Sequence, residues 1–312
     1  MISKTELIDY IQNFKNIKKN FKYFQRYLFS IRLVKYICYV LSFIMCMVYN
    51  AYFFYKCRFC LKDDVKFCDL ESYIKSNNTD MNYNRGKIIS WNIHYGYGLD
   101  ESFNLIKMSQ ILEKENAEVY ILQEVIKNEF INQEIYLKNR LNMKYSYYVP
   151  DIKVCNVYQG NLILTRNPII EFIKYKLNQW YGHNNNNIIG VKTKLNNKLT
   201  WILNVHLEGD ITLYQQESQL KELNILIQEL KTKNKDDELN FIVGGDFNTP
   251  QWSDLISKNI NDLSICNNKK LTFPVYKPIL KLDYFVTDYK NYTFDVIESQ
   301  LSDHKPISLI IN

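Results

Sequence analysis

The sequence predicts an α+β body of layered sheets and helices, on three observations. Its 312 residues are 46% apolar, enough for one large core and an appendage. Short apolar runs of strand length, many ending on a polar residue, recur from Lys87 to the C-terminus. Between them lie stretches whose apolar residues fall three or four apart, the spacing of an amphipathic helix.

The first 85 residues read differently from the rest. Leu7, Ile11, Phe14, Ile17, Phe21, Phe24, Leu28 and Ile31 form an apolar stripe, with Lys15, Lys18, Lys19, Lys22 and Arg26 filling much of the remainder. Residues 1–35 therefore predict a basic amphipathic helix suited to a membrane interface, with a soluble packing helix as the alternative. Residues 36–55 carry no charge and are bounded by Lys35 and Lys56. Twenty helical residues at about 1.5 Å each cover about 30 Å, so we expect a transmembrane helix and a single-pass contact with a lipid bilayer. A buried core helix is the alternative, since Ser42, Asn50 and several tyrosines make the run less apolar than a typical span. Cys57, Cys60 and Cys68 follow, open to a disulfide, to lipidation or to no role. Residues 56–85, polar and Asn-rich from Asp69 onward, form a tether.

The formal charge of +6 belongs to this N-terminal part, where residues 1–85 hold 14 Lys or Arg against 7 Asp or Glu. Residues 86–312 hold 25 against 26. Near-neutrality there argues against a body built to neutralise many phosphates of a duplex.

In residues 86–312 the elements alternate. Helical spacing covers 103–115 and 130–141; strands are expected at 87–92, 119–125, 145–149, 160–166, 188–195 and 199–207, the last two joined by a hairpin across Asn196 and Asn197. The clearest amphipathic helix is 213–231, with Leu220, Leu223, Ile227 and Leu230 on one stripe. Strands return around Gly244, Asp283, Val296 and Ile307.

Polar residues sit at the ends of these strands. Phe241, Ile242 and Val243 lead through Gly244 and Gly245 to Asp246 and Asn248, two positions apart and so on one face of an extended chain. A carboxylate beside an amide suits a hard cation or a phosphoryl oxygen; an Asx-type turn is the alternative. Asn92, Gln123 with Glu124, His206, Asp283, and Asp303 with His304 occupy comparable places. Taken in this order, the motifs resemble those of the endonuclease/exonuclease/phosphatase superfamily, over roughly residues 87–312.

The resemblance implies a four-layered α/β/β/α sandwich and a metal-dependent phosphoester hydrolase. It implies Mg²⁺ or Mn²⁺ held by Asn92, Glu124 and Asp303, and an acid/base pair of His304 oriented by Asp283. It further implies a second catalytic histidine at His206, a water-orienting Asp246, and Asn248 on a phosphate oxygen. The carboxylate that supports the second histidine in deoxyribonucleases has no counterpart legible here. His94, His183 and Glu208 fit no motif, although His94 shares the face of Asn92. The membrane segment favours a lipid or lipid-linked phosphoester as substrate. A nuclease acting on DNA or RNA, and an inactive scaffold of the same fold, are the competing readings.

Overall fold

The computed structural model describes residues 83–154, 156–178, 186–234 and 238–312. The expected amphipathic helix at 1–35, the span at 36–55, all of the tether but its last three residues, the three cysteines and His183 lie outside the described residues. Among the described residues no helix is long and apolar enough to cross a membrane.

Among the described residues, twelve strands form two six-stranded sheets. The first holds β1 (Asn84–Asn92), β2 (Ala117–Lys127), β3 (Tyr145–Val154), β4 (Val157–Thr165), β11 (Tyr292–Val296) and β12 (Ile307–Ile311), in the order β11-β12-β1-β2-β4-β3. The second holds β5 (Glu171–Lys176), β6 (Asn187–Leu195), β7 (Lys198–His206), β8 (Asn240–Asp246), β9 (Ser264–Ile265) and β10 (Asp283–Thr287), in the order β5-β6-β7-β8-β10-β9. Each sheet has one parallel pair near its centre, β1 with β2 and β7 with β8. Both pairs run towards the same end of the sandwich, where Asn92, Glu124, His206 and Asp246 lie.

Strands covered on both faces need apolar residues in both phases of their alternation, and β1, β2, β7 and β8 have them. Ile88, Ile121, Ile163, Ile202, Ile242 and Phe285 meet between the sheets. The opposite phase, with Trp91, Tyr120 and Leu164, packs on α1 (Leu105–Glu115) and α2 (Gln133–Arg140). On the far side Trp201, Leu203, Phe241 and Val243 meet Leu220, Leu223, Ile227 and Leu230 of α3 (Tyr214–Lys233), together with Ile256 of α4 (Leu255–Asn259). The body is therefore a four-layered sandwich of helices, sheet, sheet and helices.

Several boundaries differ from expectation. The second helix begins at Gln133 rather than near 130 because Asn128 Oδ1 accepts the N–H groups of Phe130 and Ile131, and Asn132 then caps the helix by accepting from Ile135 N. Strand β5 was not expected: its exposure alternates along its length and Phe172 faces solvent, so it lacks the continuous apolar run of a central strand. The expected hairpin is present, with Asn196 and Asn197 both at positive φ, as a two-residue turn between right-twisted strands requires.

Gly245 marks the tightest approach in the site-bearing strand. Its φ is 145°, and a Cβ there would lie 1.9 Å from the Val205 carbonyl oxygen on the neighbouring strand. Backbone cannot move aside as a side chain can. Gly245→Ala is expected to destabilise the fold by about 3 kcal/mol or more, read as a lower midpoint in urea unfolding; an unchanged midpoint would contradict this register.

Candidate active site

The site is assembled by register. In the first sheet Asn92 lies beside Gln123, next to Glu124; in the second, Asp246 is flanked by His206 on one side and Asp283 on the other. Glu124 sits where the β2 to β4 register shifts, at φ 59°. That left-handed backbone re-aims its side chain toward the gap between the sheets. His94, Tyr95 and Asn248 at this end also have positive φ.

Asn92 joins the sheets. Its Nδ2 donates to Glu124 Oε1 at 3.1 Å and to Asp246 Oδ2 at 3.2 Å, while its Oδ1 accepts the His94 N–H at 3.1 Å. In this orientation Asn92 offers the carboxylates its donor, and its Oδ1 keeps one lone pair beyond the His94 bond. Asp246 serves two ends at once. Its Oδ1 accepts from Asn248 N at 2.9 Å, an Asx-type turn, while its Oδ2 faces Asn92 and lies 3.5 Å from His304 Nε2. The structural and the chemical readings of this motif are therefore both satisfied, one by each oxygen.

His304 is buried, with Nδ1 2.9 Å from Asp283 Oδ2 and the Phe273 ring 4.8 Å from its own. Burial alone would lower its pKa, but the Asp283 and Asp246 carboxylates, the Asp283 hydrogen bond and Asp303 outweigh it and hold the imidazolium well above the usual histidine range. The loop carrying it is fixed by Ser302, whose hydroxyl donates to Asn92 O at 2.8 Å, and by Trp91 Nε1, which donates to His304 O at 2.9 Å. Asp303 lies in this loop, 3.1 Å from the Ser302 hydroxyl. His206 is half-buried, with Nε2 3.8 Å from Glu124 and 3.9 Å from Asp246. Asn248 Nδ2 donates to Leu207 O at 2.8 Å and so ties the β8 loop to the end of β7. His94 contributes its backbone N–H to Asn92, and its ring lies 3.2 Å from Tyr97 O.

A hard cation fits this donor set. Glu124 Oε2 is buried without a hydrogen-bond partner, and such an oxygen is costly unless something positive meets it. Asp246, Asp283 and His304 also place one ligand atom each within 4.8 Å of one another. A cation in that cluster would compete with the His304 to Asp283 bond, whereas one on Glu124 Oε2 would leave that pair intact.

Sequence reasoning singled out Gln123 but missed Asn204, its partner across the sheets. Gln123 is fully buried and bridges the sheets, donating to Asn204 Oδ1 at 2.7 Å, while Asn204 donates to the carbonyls of Leu122 and Leu162. The signal was an Asn interrupting the apolar 201–205 run. Asp151 was also missed. It is buried between Asn161, which donates at 2.8 Å, and Asn187, whose backbone and side-chain N–H groups donate at 3.0 and 2.7 Å. Burial pushes its carboxyl up to about 7, against the Asn187 bonds and the nearby charge of His206. Glu208 is raised for the same first reason and accepts from Asn186.

Residues 89–304 match the family model described as Endonuclease/Exonuclease/phosphatase family. Three solved structures illustrate the likeness. A beta toxin from Staphylococcus aureus, a double mutant with bound magnesium ions, is 19% identical over 73% of this chain and 100% of its own, at TM-score 0.58. A truncated TDP2 from Caenorhabditis elegans is 17% identical over 73% and 98%, at 0.57. A mannosyl-6-phosphatase from Bacteroides thetaiotaomicron is 15% identical over 72% and 98%, at 0.56. At these identities the likeness is one of fold. No curated protein matches the chain.

The raised Asp151 gives a signed pH effect. An unfolded aspartate loses its proton near 3.9. The folded chain therefore holds an extra proton between that value and about 7, and stability falls as pH rises through the window. Asp151→Asn cannot ionise, and Asn161 can turn its unpartnered Oδ1 to meet the new amide. Thermal unfolding should show a smaller drop in midpoint from pH 5 to pH 8 in the variant than in the parent; equal drops would mean that Asp151 ionises freely.

Proposed function

The chain belongs to the endonuclease/exonuclease/phosphatase family, and from that premise we propose that it is a metal-dependent phosphoester hydrolase, held at a membrane by its N-terminal segment and acting on a lipid or lipid-linked phosphate. The observation that carries the hydrolase reading is the convergence of Asn92, His206 and His304 on the Asp246 carboxylate, beside the orphaned Glu124 oxygen. The membrane part rests on the uncharged run at 36–55 and on the near-neutral balance of residues 86–312, which disfavours a nuclease.

Glu124 and Asp303, with Asn92 beside them, are the residues we assign to Mg²⁺ or Mn²⁺, and the magnesium in the beta toxin of like fold supports a magnesium-type ion. The cation supplies positive charge against the phosphoryl oxygens as charge builds there. The chain's own groups do the rest. Asp246 orients the attacking water and takes up its proton through Oδ2. His304, held as imidazolium by Asp283, donates a proton to the departing oxygen, for which a raised pKa is the right direction. His206 stands on the opposite side of Asp246 and places a second imidazole against the phosphoryl group. Asn248 retains one side-chain N–H beyond its bond to Leu207 O for a phosphate oxygen. A scaffold without activity would have no use for a strained Glu124 with an unpaired buried oxygen.

Turnover should be measured on sphingomyelin, phosphoinositides, nucleotides and DNA, with and without Mg²⁺. Chelation is expected to abolish it and Mg²⁺ or Mn²⁺ to restore it; full activity in excess chelator would refute the metal. His304→Ala should lower kcat by about a hundredfold to ten-thousandfold with little change in metal affinity. Asp303→Asn should instead raise the Mg²⁺ concentration needed for half-maximal rate. Equal metal requirements in the two variants would mean that the roles are wrongly divided.

A further inference from the structure

Thirteen large apolar side chains are exposed among the described residues, and six of them stand on connections at the site end of the sandwich. Phe130 follows β2, Ile211 and Tyr214 follow β7, Trp252 follows β8, and Tyr276 with Ile279 lie in the turn that leads into β10. Ile211 is 99% exposed, Trp252 and Tyr214 are each 68% exposed, and Ile279 is 60% exposed. Side chains of this size left in water at one pole mark an interaction surface.

Hydrogen bonds stitch these connections together and to the site. Gln216 Nε2 donates to the carbonyls of both Asp210 and Asn248, which joins the Ile211 loop to the loop after β8. Gln251, next to Trp252, donates to Ile279 O and accepts from Lys281 N. The turn bearing Tyr276 and Ile279 is bonded to the His304 loop on both sides, through Val275 N to Asp303 O at 2.9 Å and Lys305 N to Thr272 O at 2.9 Å. Its inner residue Phe273 lies on the His304 ring. Whatever seats on the apolar rim is thus registered against the catalytic pair.

We propose that this rim docks on the surface of a lipid bilayer, so that the site opens onto the membrane that carries its substrate. The inference rests on the membrane-anchored hydrolase reading and adds the orientation that reading lacks. Strand β1 enters the body at Asn84 and reaches the site at Asn92, nine residues and about 30 Å later. The N-terminal connection therefore joins the pole opposite the site. The apolar rim gives the site end a reason to face the bilayer to which an anchor at 36–55 would bring the chain. Trp and Tyr are side chains suited to the headgroup level, and Lys277 lies exposed between Tyr276 and Ile279 where lipid phosphates would stand.

Trp252 reports on this directly. The full chain would be reconstituted into phosphatidylcholine vesicles with and without brominated acyl chains, and its indole emission compared with that of Trp252→Phe. Trp91 and Trp201 are fully buried in the core, and Trp180 is common to both proteins. Brominated lipid is expected to quench the component assigned to residue 252, at least twofold more than in matched unbrominated vesicles. The double variant Ile211→Ser with Ile279→Ser, which keeps Trp252, should lose at least half of that quenching. Equal fractional quenching in the parent and in Trp252→Phe would overturn the proposal, as would loss of quenching on self-association of the chain, which would give the rim to a second copy. Mg²⁺-dependent hydrolysis of soluble bis(p-nitrophenyl) phosphate, measured alongside, tests the hydrolase reading separately: its absence would remove that reading while the quenching still decides the docking.

Discussion

The bond from Asn92 Nδ2 to Asp246 Oδ2 is the constraint on which the rest depends, because it crosses from one sheet to the other at the level where chemistry must occur. Two sheets packed only through Ile88, Ile121, Ile242 and Phe285 could slide with little penalty, since apolar contact is non-directional. Directional bonds fix the level. Gln123 to Asn204 makes a second polar crossing next to the first, and together they turn the end of an apolar sandwich into a rigid frame. With that frame set, parallel pairing of β1 with β2 and of β7 with β8 delivers Glu124, His206 and Asp246 to one place.

That frame carries costs that a purely structural end would avoid. Glu124 holds a left-handed backbone, its Oε2 lies buried without a partner, and three carboxylates surround His304. Strain and unpaired buried oxygen persist only where surrounding packing over-determines them. Here the packing is dense on every side, from Trp91 bonded to the His304 carbonyl to Gly245 pressed on Val205. A cation would relieve that oxygen and complete the balance of charge. The same bonds that fix the site also reach outward to the exposed rim, so rigidity at the centre extends to the surface that would meet a substrate's surroundings.

The sequence made much of this legible, and the remainder fails for physical reasons. Long apolar strands and the stripe of α3 announce themselves by period, and the Asn196-Asn197 turn by its chemistry. Glu124, Asp246, Asp283 and His304 stand out because each interrupts or ends an apolar run. Asp151 did not stand out, since its burial depends on a partner sheet that no local pattern names, and Asn187 comes from that other sheet. Asn92 was readable as a site residue, yet the orientation of its amide was not, because that is decided by the His94 N–H. Strand β5 lies at a sheet edge, where one-sided cover leaves only a weak alternation. The division of the rim among four connections was likewise invisible, because exposure at a loop is set by what the neighbouring loops leave uncovered.

The central claim is that Glu124, rather than the Asp246, Asp283 and His304 cluster, receives the cation, leaving the histidine pair free to move a proton. Anomalous diffraction from Mn²⁺-soaked crystals of the protein tests it most directly. The account predicts a single strong peak about 2.1 Å from Glu124 Oε2, the distance expected of a magnesium-type ion on oxygen, with His304 still bonded to Asp283. A peak centred among Asp246, Asp283 and His304, with that bond broken, would contradict it.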